Sequence, residues 1–208
     1  RLTVTNGLSF IDNYGASITA AGTALIAENS LGNGLTISSS GTISSLNSAG
    51  IFARNYGTSL SISANDVYGA TYGILVENRG RGETTINVGG MVSGQYGIEA
   101  RNSASGTSLT ISAHDVDGSY NFGIGAYNYG SGPLSISATG RVSGSWFGIA
   151  AFNQSASGSP FFISANEVYG GTGIYALNFG SGLLSISSSG MVSGSSRTGI
   201  RARNYGTS

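Results

Sequence analysis

The feature that most constrains this chain is a motif recurring every 23 to 26 residues from one end to the other. It reads Gly-Ile-x-Ala-x-Asn, as in Gly50-Ile51-Phe52-Ala53-Arg54-Asn55 and Gly123-Ile124-Gly125-Ala126-Tyr127-Asn128. Its copies end at Asn29 (a divergent first copy), Asn55, Asn78, Asn102, Asn128, Asn153, Asn178 and Asn204. A second motif, Leu-Ser/Thr-Ile-Ser, follows each of the first seven copies, starting at Leu35, Leu60, Thr84, Leu109, Leu134, Phe161 and Leu184. A third and shorter one comes next, as in Val67-Tyr68-Gly69 and Val142-Ser143-Gly144. All three alternate apolar and other residues with period two, the pattern of a half-buried strand. Self-similarity at this period, with three short strands per unit, means a stacked solenoid. The expected fold is therefore all-β, a right-handed parallel β-helix of about eight coils, each of ~25 residues. Residues 1–208 form a single domain in this reading, and residues 1–22 are a divergent first coil.

The coils alternate in kind. After the second motif, one set reads Asn65-Asp66-Val67, His114-Asp115-Val116 and Asn166-Glu167-Val168. The set between them carries Gly41, Gly89-Gly90, Gly140 and Gly190 at the same turn. The unit of duplication is thus two coils, or ~50 residues.

Composition sharpens this picture. Gly (35) and Ser (36) make up over a third of the 208 residues, a bias that in another chain signals disorder. Here 39% of residues are hydrophobic and fall at regular positions, so there is a core to bury. Nine Arg balance nine acids, and there is no Lys, which argues against nucleic acid as a partner. There is no Cys, so no disulfide or thiolate zinc site exists, and no run of 18 apolar residues reads as a transmembrane helix.

Period two assigns the faces. The Ile and Ala of Gly-Ile-x-Ala-x-Asn point into the core, and the two x positions point out. The recurring Asn sits at a corner, where stacked amides form a ladder. The second x position reads Glu28, Arg54, Glu77, Arg101, then Tyr127, Phe152, Leu177, then Arg203. Its first four members predict a ladder of alternating charge. The next three, with Tyr175, Ala150, Trp146 and Phe147, predict a contiguous exposed apolar patch, an interface unless a loop covers it. The outward Ser and Thr of the second motif read as a solvated face. Asp66, Asp115 and Glu167 lie two coils apart and are expected to cap their own turns. His114 has no base partner or nucleophile elbow in the sequence. No catalytic residue, metal site or cofactor is expected.

The three motifs in ~25-residue alternation resemble the passenger repeats of large bacterial autotransporter-type surface adhesins. The likeness covers all but residues 1 to about 22. It implies an extracellular rod on a bacterial cell surface, exported through an outer-membrane barrel. Self-association is also expected. Arg203-Asn-Tyr-Gly-Thr-Ser208 repeats Arg54-Asn-Tyr-Gly-Thr-Ser59, which is followed internally by Leu60-Ser-Ile-Ser, and the chain opens on Leu2-Thr-Val-Thr. The end thus reads into the beginning, with Arg203 preceding Glu28 in the charge column. Residues 1–129 carry 5 Arg and 8 acids, and residues 130–208 carry 4 Arg and 1 acid, so opposite ends attract. The favoured function is a structural rod extended by head-to-tail stacking or further repeats, with lateral bundling as an option. The alternatives are an adhesin segment that grips a host or matrix glycan, and a polysaccharide lyase or hydrolase.

Overall fold

The computed structural model describes residues 2–5, 9–30, 32–155 and 158–206. Every strand pairing among them is parallel, and no helix occurs. The chain is a parallel β-solenoid of about eight coils. Nine strands stack as one sheet, from Leu2–Thr5 through Leu25–Asn29, Ile51–Asn55, Tyr72–Asn78, Tyr96–Asn102, Phe122–Asn128, Phe147–Asn153 and Thr172–Asn178 to Ile200–Asn204. The second and third motifs form the other sheet, of twelve strands.

The expected three strands per coil are separate near the ends, as in Leu35–Ser39 and Ile43–Ser45. In the middle coils the second and third motifs run together as single strands, Thr84–Gly94, Leu109–Gly118, Leu134–Gly144 and Phe161–Gly170. The two motifs keep their own registers there, because the pairing shifts where they join, for example between Val88 and Met91. That shift is the corner in another form: an irregularity bends the strand without ending it.

Register is uniform within each motif. Ile51, Ile74, Ile98, Ile124, Ile149 and Ile174 stack through the first sheet with no exposed surface. Ile37, Ile62, Ile86, Ile111, Ile136 and Ile163 stack through the second, and the third motif adds Val67, Val92, Val116, Val142 and Val168. Burying each such side chain contributes ~1.5–3 kcal/mol. Because every coil contributes the same set, stability accrues coil by coil.

Glycine lets the stacked backbones meet. Tight corners suggest unusual backbone angles, yet among the described glycines only Gly15 has a positive φ, of 72°. The glycines are instead sites of close approach. A Cβ on Gly94 would stand 2.6 Å from the Tyr96 carbonyl oxygen, and one on Gly50 would stand 2.6 Å from Val67 Cγ1. The backbone of one motif packs directly on the next, and no side chain fits between them.

The first coil corrects a second expectation. Leu2–Thr5 pairs in the first sheet, with Leu2 opposite Leu25 and Thr5 opposite Glu28. It is a copy of the first motif, and Phe10–Asp12 takes the place of the second, pairing with Leu35–Ser39. The C-terminal hexapeptide therefore does not read into Leu2–Thr5 as one continuous coil. Thr5, not Arg203, precedes Glu28 in the charge column. Arg1, Asn6, Thr207 and Ser208 lie outside the described residues.

Candidate functional site

The corner ladder follows directly from the register. Asn29 donates from Nδ2 to Asn55 Oδ1 at 2.8 Å, and the pattern continues through Asn78, Asn102, Asn128, Asn153 and Asn178 to Asn204 at 2.9–3.1 Å. All seven bonds run the same way along the rod. The amides also secure their own corners, as at Asn128, where Nδ2 donates to the Gly132 carbonyl at 2.9 Å and Gly130 N–H donates to Oδ1 at 3.2 Å. The ladder residues from Asn29 to Asn178 are at most 1% exposed. Among the described residues no buried side-chain nitrogen or oxygen lacks a partner.

On the outer face of the first sheet, charge alternation gives real pairs at the N-terminal end. Arg54 bridges Glu28 at 3.4 Å and Glu77 at 3.0 Å. The series then departs from the expected column. Glu77 turns to Arg79 at 3.0 Å, and Arg101 pairs within its own strand to Glu99 at 2.6 Å. Glu99 is only 5% exposed, the one buried carboxylate among the described residues. Sequence reasoning passed over it, although the signal is there: Glu99 interrupts an otherwise apolar run of first-x residues (Ile26, Phe52, Leu75). Burial works against the charge of Arg101, but the bond and charge of Glu99 outweigh it and hold its pKa above the usual value. Arg203 instead donates to the Tyr205 hydroxyl at 3.2 Å.

The aromatic residues do converge. Tyr127 stacks on Phe152 with ring centroids 5.1 Å apart, Phe152 meets Tyr175 edge-on at 5.6 Å, and Phe147 stacks on Tyr175 at 5.4 Å. They are half-buried against one another, and Leu177 and Ala150 are buried, at 9% and 3% exposure. The expected open patch is thus a self-packed cluster, flanked by Arg101 over Tyr127 and Arg201 over Tyr175. Only Trp146 stands well exposed, at 55%, with Arg197 over its ring. Farther down the same face Tyr72 stacks on Tyr96 at 4.8 Å, and Phe122 folds over the site where Gly125 lacks a side chain. Burial, then the charge of Glu99, push the phenols of Tyr72 and Tyr127 above their ordinary pKa.

The acidic turns cap the coil above rather than their own. Asp66 Oδ1 accepts from Met91 N–H at 2.9 Å, and Asp115 Oδ1 accepts from Arg141 N–H at 2.7 Å. Gly90 and Gly140 lie directly over those carboxylates, where a Cβ would collide with them. This explains the two-coil superperiod: an acid in one coil needs a glycine in the next. In the last pair Asn166 takes the role, its Oδ1 accepting from Ser189 Oγ at 3.2 Å, while Glu167 accepts from the Tyr169 hydroxyl at 3.3 Å. His114 contacts Thr139 Oγ1 at 3.0 Å and Asp115 at 3.8 Å. Among the described residues no three His, Cys, Asp or Glu side chains gather as a metal-binding group. No helix of the described residues is long and apolar enough to cross a membrane.

These features define a parallel β-solenoid repeat protein. Compared with protein-family models, curated proteins and solved structures, the chain matches none.

Proposed function

We propose that this chain is a structural rod segment, whose work is length and stiffness. The observation that carries the reading is the unbroken Asn ladder from Asn29 to Asn204, which treats every coil alike. The stacked coils give an axial length of about 40 Å at ~4.8 Å per coil. The turn carboxylates support a non-catalytic role, since Asp66 and Asp115 are engaged in capping backbone N–H groups. We place the rod on a bacterial cell surface, as part of a fibre or adhesin stalk, on the strength of its motif resemblance.

Removing one two-coil unit tests this. Leu60, Thr84 and Leu109 occupy one register, so deletion of residues 60–108 joins Leu109 to the place of Leu60. The expected product is a folded rod shorter by about 10 Å, still displayed on the cell and labelled by antibody without permeabilisation. Failure to fold contradicts the equivalence of the coils, and labelling only after permeabilisation contradicts the surface location.

A second reading, adhesion through Tyr127, Phe152, Tyr175 and Leu177, finds its best support in exposed Trp146 beside them. Replacing Tyr127 and Phe152 by Ser would abolish adhesion or bundling under that reading. Under the structural reading it lowers stability alone.

A further inference from the structure

The face formed by the third motif carries a polar trough that stacking does not require. Its main outward column reads Ser93, Asp117, Ser143, Tyr169 and Ser193 in consecutive coils. The neighbouring column holds Met91 opposite Asp115 and Arg141 opposite Glu167. Two adjoining clefts of about 310 and 320 Å³ lie over these columns and share Asp117, Arg141 and Ser143. Together they extend from Met91 to Ser193, four coil steps or roughly 19 Å along the rod.

The side chains in this trough contact one another but leave part of their hydrogen-bonding capacity open. Arg141 makes no ion pair among the described residues, although Asp115 and Glu167 lie on adjacent coils. Its guanidinium instead lies over the Tyr169 ring, 4.7 Å from the centroid. Asp117 accepts the Ser143 hydroxyl through Oδ1, and its Oδ2 has no partner among the described residues. A part-exposed aromatic ring, a cationic donor, an anionic acceptor and serine hydroxyls thus adjoin one another.

We propose that this trough binds an uncharged, hydroxyl-rich polysaccharide lying along the rod axis. Sugar hydroxyls both donate and accept, which matches Arg141, Asp117 and Ser143 together, and the part-exposed Tyr169 ring beside Arg141 adds apolar surface. Other polymers fit less well. Asp115 and Asp117 line the clefts against the single Arg141, so a polyphosphate or polyuronate would be repelled. A peptide strand could not pair here, because the trough-lining strands of the middle coils are bonded on both sides.

Isothermal titration with three probes tests the proposal: an N-acetylglucosamine hexamer, a β-1,4-glucan hexamer and a galacturonate hexamer. The expected result is saturable binding of a neutral hexamer with Kd below about 1 mM, and weaker or no binding of the galacturonate. Tyr169→Ala and the near-isosteric Asp117→Asn should each weaken it roughly tenfold or more. Tyr14→Ala, at a fully exposed site in the first coil, should leave it unchanged. If Tyr169→Ala fails to fold, Asp117→Asn alone decides. The proposal is overturned if neither neutral hexamer binds, if the galacturonate binds as tightly, or if either folded trough variant binds as the parent does. None of those results would bear on the rod's structural role.

Discussion

Replacing Asn128 by Ala probes the ladder where it is fully enclosed. Asn128 takes part in four hydrogen bonds: it donates to Asn153 Oδ1 (3.1 Å) and the Gly132 carbonyl (2.9 Å), and it accepts from Asn102 Nδ2 (2.9 Å) and Gly130 N–H (3.2 Å). At about 1 kcal/mol net for each, the loss is about 4 kcal/mol, and groups left buried without partners push it higher. Domains of this kind have total stabilities of ~5–15 kcal/mol, so the variant would lose a large fraction. The end rung provides the contrast. Asn204 is exposed and keeps one ladder bond, at 2.9 Å, with two long contacts of 3.4 Å, one to the Gly182 carbonyl of the preceding coil and one from Gly206 N–H. Asn204→Ala should cost under about 1 kcal/mol. Urea unfolding followed by circular dichroism measures both, with an unchanged m-value marking a pure stability effect. A loss below about 1 kcal/mol for Asn128→Ala, or equal losses at the two positions, would refute the claim that enclosed amide stacking holds the corners.

Three further outcomes are expected. Gly94→Ala should destabilise the rod by at least 1–3 kcal/mol in the same assay, as a forced overpacking, because its Cβ would meet the Tyr96 carbonyl at 2.6 Å. Arg54→Ala should cost no more than about 1 kcal/mol despite two ion pairs, since all three side chains are partly solvated. Tyr127 holds its proton more tightly folded than unfolded, so its contribution is complete below the unfolded pKa of ~10 and is lost as pH rises through the folded value. Alkaline melting should therefore set in from about pH 10, and Tyr127→Phe should lessen the slope; an identical pH profile would count against it.

Most of the architecture was legible because each coil restates the same constraints. The Ile columns and the corner Asn recur at one spacing, and a parallel register then places them in line. What escaped the reading depends on partners one coil away. Asp66 and Asp115 look like local turn residues until their acceptor atoms are seen against Met91 and Arg141 of the next coil. Gly90 and Gly140 look like flexible corners until the same carboxylates are found beneath them. Leu2-Thr-Val-Thr fits either strand motif over four residues. The Asn that follows at position 6 has the spacing of the first motif, and that residue distinguishes them. Rings on adjacent coils of the aromatic cluster lie close enough to cover one another, so alternation alone overstates their exposure. Glu99 was missed because Arg101 seemed to have its partner in Glu77.

The central claim is that one coil follows another in line, each at the same rise. The chain has no Cys, so pairs of spin labels can be introduced at outward Ser positions of one column without background labelling. Ser38, Ser63, Asn87, Ser112, Ser137, Ser164 and Ser187 occupy successive levels of the second sheet. Electron–electron distance measurements should give roughly 19 Å for Ser63–Ser164, 24 Å for Ser63–Ser187 and 29 Å for Ser38–Ser187, rising by about 4.8 Å per coil. Distances that fail to grow with the number of intervening coils would contradict the rod.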